Sequence, residues 1–217
     1  MKLLAIRLAR SIWLFPQYFL NPKGAYIYPA VEALKSRYSF LKSPADFPTA
    51  APNEPVKFEN GAFSGKNGTV LIASVTLHND GIVVDTRSST DDCDEFLEDA
   101  LNWMSSEYGL AAYADIPMKK MYISELNVIF DKQPKIVNPK LVPFIKELSS
   151  LIGSEQIGDA HFMSLCLSTD QTLSANAPQF RFEREINTPF GENRYYSFSP
   201  TTTDVHLDLL AKLEELV

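Results

Sequence analysis

The pattern of apolar and polar positions occurs twice along this chain. From Val70 to Tyr108 an apolar strand, a turn and a second strand lead into Ser88-Ser89-Thr90-Asp91 and a helix. From Gln179 to Val217 the same succession leads into Thr201-Thr202-Thr203-Asp204 and the last helix. Each hydroxyl-rich run meets an Asp where a helix start must satisfy its free N–H groups.

The rest of the pattern fills in around these two passages. Leu3 to Leu14 alternates as a strand, with Leu4, Ile6 and Leu8 on one face and Arg7 on the other, and Pro16 ends it. Pro29 suits the first turn of a helix reaching Tyr38. Pro44, Pro48, Pro52 and Pro55 make Ser43–Pro55 a stiff connection with no regular element. Val56 to Phe63 reads as a small hairpin turning at Asn60-Gly61, with a loop at Gly65–Gly68. Val70–His78 and Ile82–Arg87 form a clearer hairpin around Asn79-Asp80-Gly81.

Helical spacing dominates from Asp91 to Tyr108, where Phe96, Leu97, Ala100, Leu101, Met104 and Tyr108 form one apolar stripe that Gly109 stops. Lys120–Asp131 reads as a strand, with Tyr122, Leu126, Val128 and Phe130 on one face. A helix follows from Asn138-Pro139 to Ile152, with Leu141, Ile145, Leu148 and Ile152 as its buried stripe. His161–Thr169, Gln179–Ile186 and Tyr195–Ser199 read as strands. The final helix, Thr203–Leu216, turns Val205, Leu209, Leu213 and Leu216 inward.

Hairpins followed by single helices indicate an α+β protein: a mainly antiparallel sheet with helices packed on one face. The repeated pattern suggests two lobes of ferredoxin-like, split βαβ topology. The 217 residues suit a single domain, with sub-lobes at 1–55, 56–153 and 154–217.

Charge and cysteine usage narrow the function classes. Twenty-seven acidic against twenty basic residues give a net charge of −7, which opposes phosphate-backbone binding and is compatible with a basic protein partner, ordinary solubility charge being the plainer reading. The two cysteines, Cys93 and Cys166, lie outside any metal-binding spacing, as expected of reduced thiols in the cytoplasm. Arg7, Arg10, Pro16 and Gln17 interrupt the apolar N-terminal residues, so neither a signal peptide nor a membrane span is expected.

Four constellations carry candidate chemistry. Asp85 with Asp91, Asp92 and Asp94, in an acidic segment reaching Asp99, offers oxygens to a divalent metal and so to a hydrolase or nuclease. No glycine sits at the sixth position of an EF-hand spacing, and a solvated helix face is the plainer reading. Arg87 with Ser88, Ser89 and Thr90 is a candidate anion site at a helix N-terminus, although the stretch lacks a phosphate loop's glycines. His78, His161 and His206 lack metal-ligand spacing, and no serine lies in a Gly-x-Ser-x-Gly elbow. Arg181, Arg184 and Arg194 alternate with aromatics, but Glu183, Glu185 and Glu192 offset them, which suggests cross-strand ion pairs rather than an RNA platform.

Trp13, Phe15, Tyr18 and Phe19 are either core or, where exposed, a protein interface. With no cofactor motif and no basic patch, the expected function is a non-catalytic protein-binding module of inhibitor, immunity or adaptor type. A metal-dependent hydrolase and a small-anion sensor are the alternatives.

Overall fold

The computed structural model describes residues 1–24, 28–44, 55–134, 139–151, 163–170, 172 and 178–216. The class is α+β, as the hairpin-then-helix pattern implies. Eight strands are present: β1 (Lys2–Leu14), β2 (Val56–Gly65), β3 (Gly68–His78), β4 (Gly81–Thr86), β5 (Lys119–Ile129), β6 (Ser164–Ser168), β7 (Gln179–Arg184) and β8 (Arg194–Ser199). Their order in the sheet is β2-β3-β4-β1-β5-β8-β7-β6. The registered pairings β1·β4, β2·β3, β3·β4, β6·β7 and β7·β8 are all antiparallel. The described residues hold five α-helices: α1 (Gln17–Leu20), α2 (Tyr28–Arg37), α3 (Thr90–Tyr108), α4 (Val142–Leu151) and α5 (Thr203–Leu216). None of these is long and apolar enough to cross a membrane.

The chain divides into two compact units. The α3 unit comprises Ile6–Ser124 and Pro200–Thr203; the α5 unit comprises Met1–Ala5, Glu125–Ser199 and Asp204–Val217. The proline-rich connection, from residue 45 to 54, and the expected 153/154 boundary lie outside the described residues.

In the α3 unit, α3 buries the expected stripe as far as Met104: Phe96, Leu97, Ala100, Leu101 and Met104 are all at most 5% exposed, while Tyr108 is half-buried. Ser89 caps the helix by accepting from the Asp92 N–H at 3.0 Å, and Gly109 ends it in the left-handed region at φ 68°. Phe96 meets Tyr38, Phe63 and Phe40 edge-on, with ring centroids 4.8, 5.7 and 6.5 Å away, and Phe40 packs on Phe58 at 5.3 Å. These rings join Trp13, Val84 and Leu34 in one core.

Two elements depart from the apolar pattern. In β1 the buried positions are Ala9, Ser11 and Trp13, the parity of Arg7, and not that of Leu4, Ile6 and Leu8. Trp13 decides the parity: its indole N–H donates to Asp94 of α3 at 2.9 Å, so the odd positions face the helix. The hairpin expected at Asn60-Gly61 does not form. Val56–Gly65 is a single strand, and the chain turns at Lys66-Asn67, between the paired Gly65 and Gly68. Asn60 adopts φ 57° within β2 instead.

In the α5 unit the core gathers Leu126, Val128, Phe130, Phe182, Tyr195 and Leu210. Phe182 stacks on Tyr195 at 4.5 Å, and Phe130 packs on both. The stripes expected in this unit's helices are both displaced. On α5 the buried positions are Thr203, His206 and Leu210, while Val205, Leu209 and Leu216 are exposed. The polar Thr203 and His206 occupy the inward face because hydrogen bonds hold them there. Leu141, just before α4, and Leu148 on it lie at the surface, and Ile152 is outside the described residues.

Candidate functional site

A concave feature of the α3 unit arises where its backbone departs from regular geometry. At the end of α2, Ser39 takes φ 52° and the Phe40 N–H returns to the Lys35 carbonyl at 3.0 Å, a helix stop with serine where glycine is usual. The chain then lies along β2: Leu41 N–H donates to the Asn60 carbonyl, and Lys42 and Glu59 exchange two backbone bonds. Phe40 fits because residue 61 is glycine; a Cβ there would lie 2.4 Å from its ring. Asn60, itself left-handed, lies opposite the point where the β3·β4 register slips between Ile72 and Ser74. Such slips re-aim side chains and concentrate near binding sites.

Together these irregularities open a groove of about 490 Å³ lined by Ser39, Leu41, Asn60–Ala62, Leu71–Ala73 and Arg87. Leu41 and Leu71 are 79% and 73% exposed, although neither sits at a chain end. Arg87 is the groove's charged group, and among the described residues no ion-pair partner neutralises it. A neighbouring hollow of about 230 Å³ also contains an arginine, but Arg37 is paired there with Asp99 at 3.1 Å. The Tyr38 hydroxyl donates to the same carboxylate at 2.5 Å, and burial with that bond holds its pKa well above the usual tyrosine range. The first groove can therefore offer an unspent guanidinium beside apolar walls; the second hollow cannot.

No family model, curated protein or solved structure matches this chain. The functional reading rests on the residues themselves.

The structure separates Arg87 from the rest of its expected anion site. Arg87 is exposed and lines the groove, while Thr90 is buried. The donors at the start of α3 are committed within the chain. The Asp92 N–H goes to Ser89, and the Thr90 N–H donates to Thr203 Oγ1 at 3.1 Å. The Thr203 N–H returns the bond to Thr90 Oγ1 at 3.0 Å. The Ser88 hydroxyl folds onto Thr86 at 3.3 Å. The two matching positions of the sequence pattern thus bond to each other, a pairing that spacing alone does not disclose.

The acidic segment is a set of tethers rather than a solvated face. Asp85 forms a two-point pair with Arg10, at 2.6 and 2.8 Å, across the β1·β4 register and also accepts from Ser74. Asp94 accepts from Trp13, from the Tyr122 hydroxyl at 2.9 Å and from Lys120 at 3.3 Å. The Lys120 ammonium also stands 3.9 Å from the centre of the Trp13 ring. Burial, then the Asp94 carboxylate, hold the Tyr122 hydroxyl far above its ordinary range. Glu95 accepts from the Lys66 N–H in the β2–β3 turn. Asp91 and Asp92 lie in the first turn of α3, where its dipole favours them. Among the described residues no group of three or more His, Cys, Asp or Glu is arranged to hold a metal.

Of the interface candidates, Trp13 and Phe15 are buried, Phe19 is half-buried and Tyr18 is 66% exposed. Among the histidines, His78 is exposed and His161 lies outside the described residues. His206 is fully buried with its Nε2 2.8 Å from the Ser197 hydroxyl. That hydroxyl donates its proton to the Arg181 carbonyl at 2.8 Å, so it accepts from the imidazole and is not activated by it. Cys93 is buried beside Thr86, and burial pushes its thiol up to about 12. Arg194 pairs with Glu185 at 2.9 Å, the cross-strand partner expected. Arg184 is buried, donating to the Pro189 carbonyl at 2.7 Å while its guanidinium covers the Phe190 ring at 3.9 Å.

Proposed function

We propose that this chain is a non-catalytic, cytosolic protein-binding module of inhibitor, immunity or adaptor type, and that the groove around Arg87 is its docking surface. The observation that carries this reading is the groove: exposed Leu41 and Leu71 beside an arginine with no ion-pair partner among the described residues. Arginine flanked by apolar surface is the composition enriched at protein interfaces. The occupant is an extended segment of another protein. It seats an aliphatic side chain against Leu41 and Leu71 and presents a carbonyl or carboxylate oxygen to Arg87. The net charge of −7 steers a basic protein toward the chain at longer range. The residues best suited to chemistry are committed elsewhere, Ser197 and His206 to each other and the α3 acids to neighbouring elements. The repeated passages, Val70–Tyr108 and Gln179–Val217, are read as an internal repeat supplying the frame.

Affinity capture with three forms of the protein tests this. Wild type is expected to retain a stoichiometric partner, and Leu71→Asp and Arg87→Glu to weaken retention at least tenfold at unchanged melting temperature. Equal retention by all three, or no partner for the wild type, overturns the reading.

A further inference from the structure

The two end strands of the sheet are treated differently. The β2 edge is covered: residues 41 and 42 bond along it, and Glu59 is held between Lys42 at 3.0 Å and Lys57 at 2.6 Å. Covering and charging an end strand prevents it from pairing with another chain. The other end strand, β6, has β7 as its sheet neighbour and carries no charge from Ser164 to Ser168. Leu167 is 56% exposed there, and Cys166 is exposed and unpaired by disulfide.

The sequence of β6 is Ser-Leu-Cys-Leu-Ser, the same in both directions. We infer that β6 is the contact by which two copies of this chain join, antiparallel and centred on Cys166. The backbone phase supports that centre. The Met163 carbonyl accepts from the Arg184 N–H, so in the alternation of an antiparallel ladder residues 163, 165 and 167 direct their bonds to β7. Ser164, Cys166 and Ser168 therefore direct N–H and C=O away from β7, to an edge that no strand among the described residues pairs with. A dyad at Cys166 places Cys166 opposite its copy, and Ser164 opposite Ser168 of the second copy. Each of these is a hydrogen-bonded pair, so every outward group of the five residues is satisfied.

The side chains agree with the backbone. Leu165 and Leu167 share the face of their β7 partners Phe182 and Phe180. The dyad sets Leu165 against Leu167 of the second copy, extending that apolar row across the contact. Cys166 and Arg181 point to the opposite face. The same patch serves both copies, the condition for a closed twofold dimer. This contact is independent of the Arg87 groove, which lies in the other unit.

Sedimentation over a concentration series, with mild oxidation by diamide in parallel, tests the inference. The expected result is a monomer–dimer equilibrium in the micromolar range. Directly opposed strand residues have Cα atoms about 5.5 Å apart, within disulfide reach. Two Cys166 thiols then pass two electrons and two protons to diamide, giving a covalent dimer. Cys166→Ser should abolish the covalent species and keep the equilibrium. Leu167→Lys should shift the equilibrium at least tenfold toward monomer. Ser164→Pro, which removes an outward N–H, should act in the same direction. Unchanged melting temperatures establish that both variants fold. A wild-type protein that stays monomeric and uncrosslinked, or a dimer indifferent to Leu167→Lys and Ser164→Pro, overturns it.

Discussion

In the α3 unit a regular apolar stripe is buried; in the α5 unit an equally regular one is not. Phe96, Leu97 and Leu101 of α3 are each 1% exposed, whereas Leu141 and Leu148 of the second stripe are 48% and 38% exposed. Periodicity is the same kind of signal in both, because spacing reports which side chains share a face and says nothing about what covers that face. What docks α3 is the combination of its aromatic contacts with carboxylates bonded to β1, β5, α2 and the β2–β3 turn. The lesson is that the polar side of a helix can secure the docking of its apolar side.

The comparison breaks first at the ring cluster. Phe96→Ala should cost about 3–5 kcal/mol, through lost apolar contact and the cavity left among Tyr38, Phe40 and Phe63. On α4, Leu148→Ala should cost less than about 0.5 kcal/mol, as at an exposed position. Urea unfolding of both variants decides it; a Leu148→Ala cost near that of Phe96→Ala would show that the α4 face is covered. Asp94→Ala comes next, at about 1–3 kcal/mol, since it leaves the buried Trp13 N–H without its acceptor. A red shift of tryptophan emission should accompany the loss.

Ser89→Ala should cost about 1 kcal/mol by removing the α3 cap, read from the shift in urea midpoint. The smallest effect is electrostatic. Lys57 and then Lys42 hold the Glu59 carboxylate at about 2, below its ordinary 4.5. A lowered folded value means the stabilisation is present above pH 4.5 and is lost as pH falls toward 2. Lys42→Met with Lys57→Met should flatten the acid limb of a stability–pH curve followed by circular dichroism. An unchanged limb would show that β2's edge is covered by its backbone bonds alone.

Much of the fold was legible along the chain. The hairpin at Asn79–Gly81, the cap at Ser89 and the stop at Gly109 each follow from local chemistry, and local chemistry is what a sequence displays. The parity of β1 was not legible, because Leu4, Ile6 and Leu8 are as apolar as the residues that win. A distant acceptor, Asp94, selects the Trp13 face. The turn at Asn60-Gly61 was misread for a related reason: the left-handed asparagine and the small glycine accommodate Phe40 from another segment. Arg87 was visible as a candidate, but its groove was not. Its walls come from residues near 40, 60 and 72, brought together by a helix stop and a register slip. On α5 the inward face belongs to Thr203 and His206, whose polarity hides them from any count of apolar spacing.

The indole of Trp13 has a consequence for how this molecule can be observed. The chain has two tryptophans, Trp13 and Trp103, and both belong to the α3 unit. One is sealed from solvent beneath an ammonium; the other is half-buried with the Arg37 guanidinium 5.0 Å from its ring. Excitation at the red edge of protein absorbance therefore illuminates one unit and leaves the other dark. Of the nine tyrosines, Tyr195 and Tyr196 alone lie in the dark unit, so a tyrosine signal also comes mainly from the α3 unit. Tryptophan emission set beside far-ultraviolet circular dichroism, to which the helices of both units contribute, therefore reports without any label whether the units melt together or in turn.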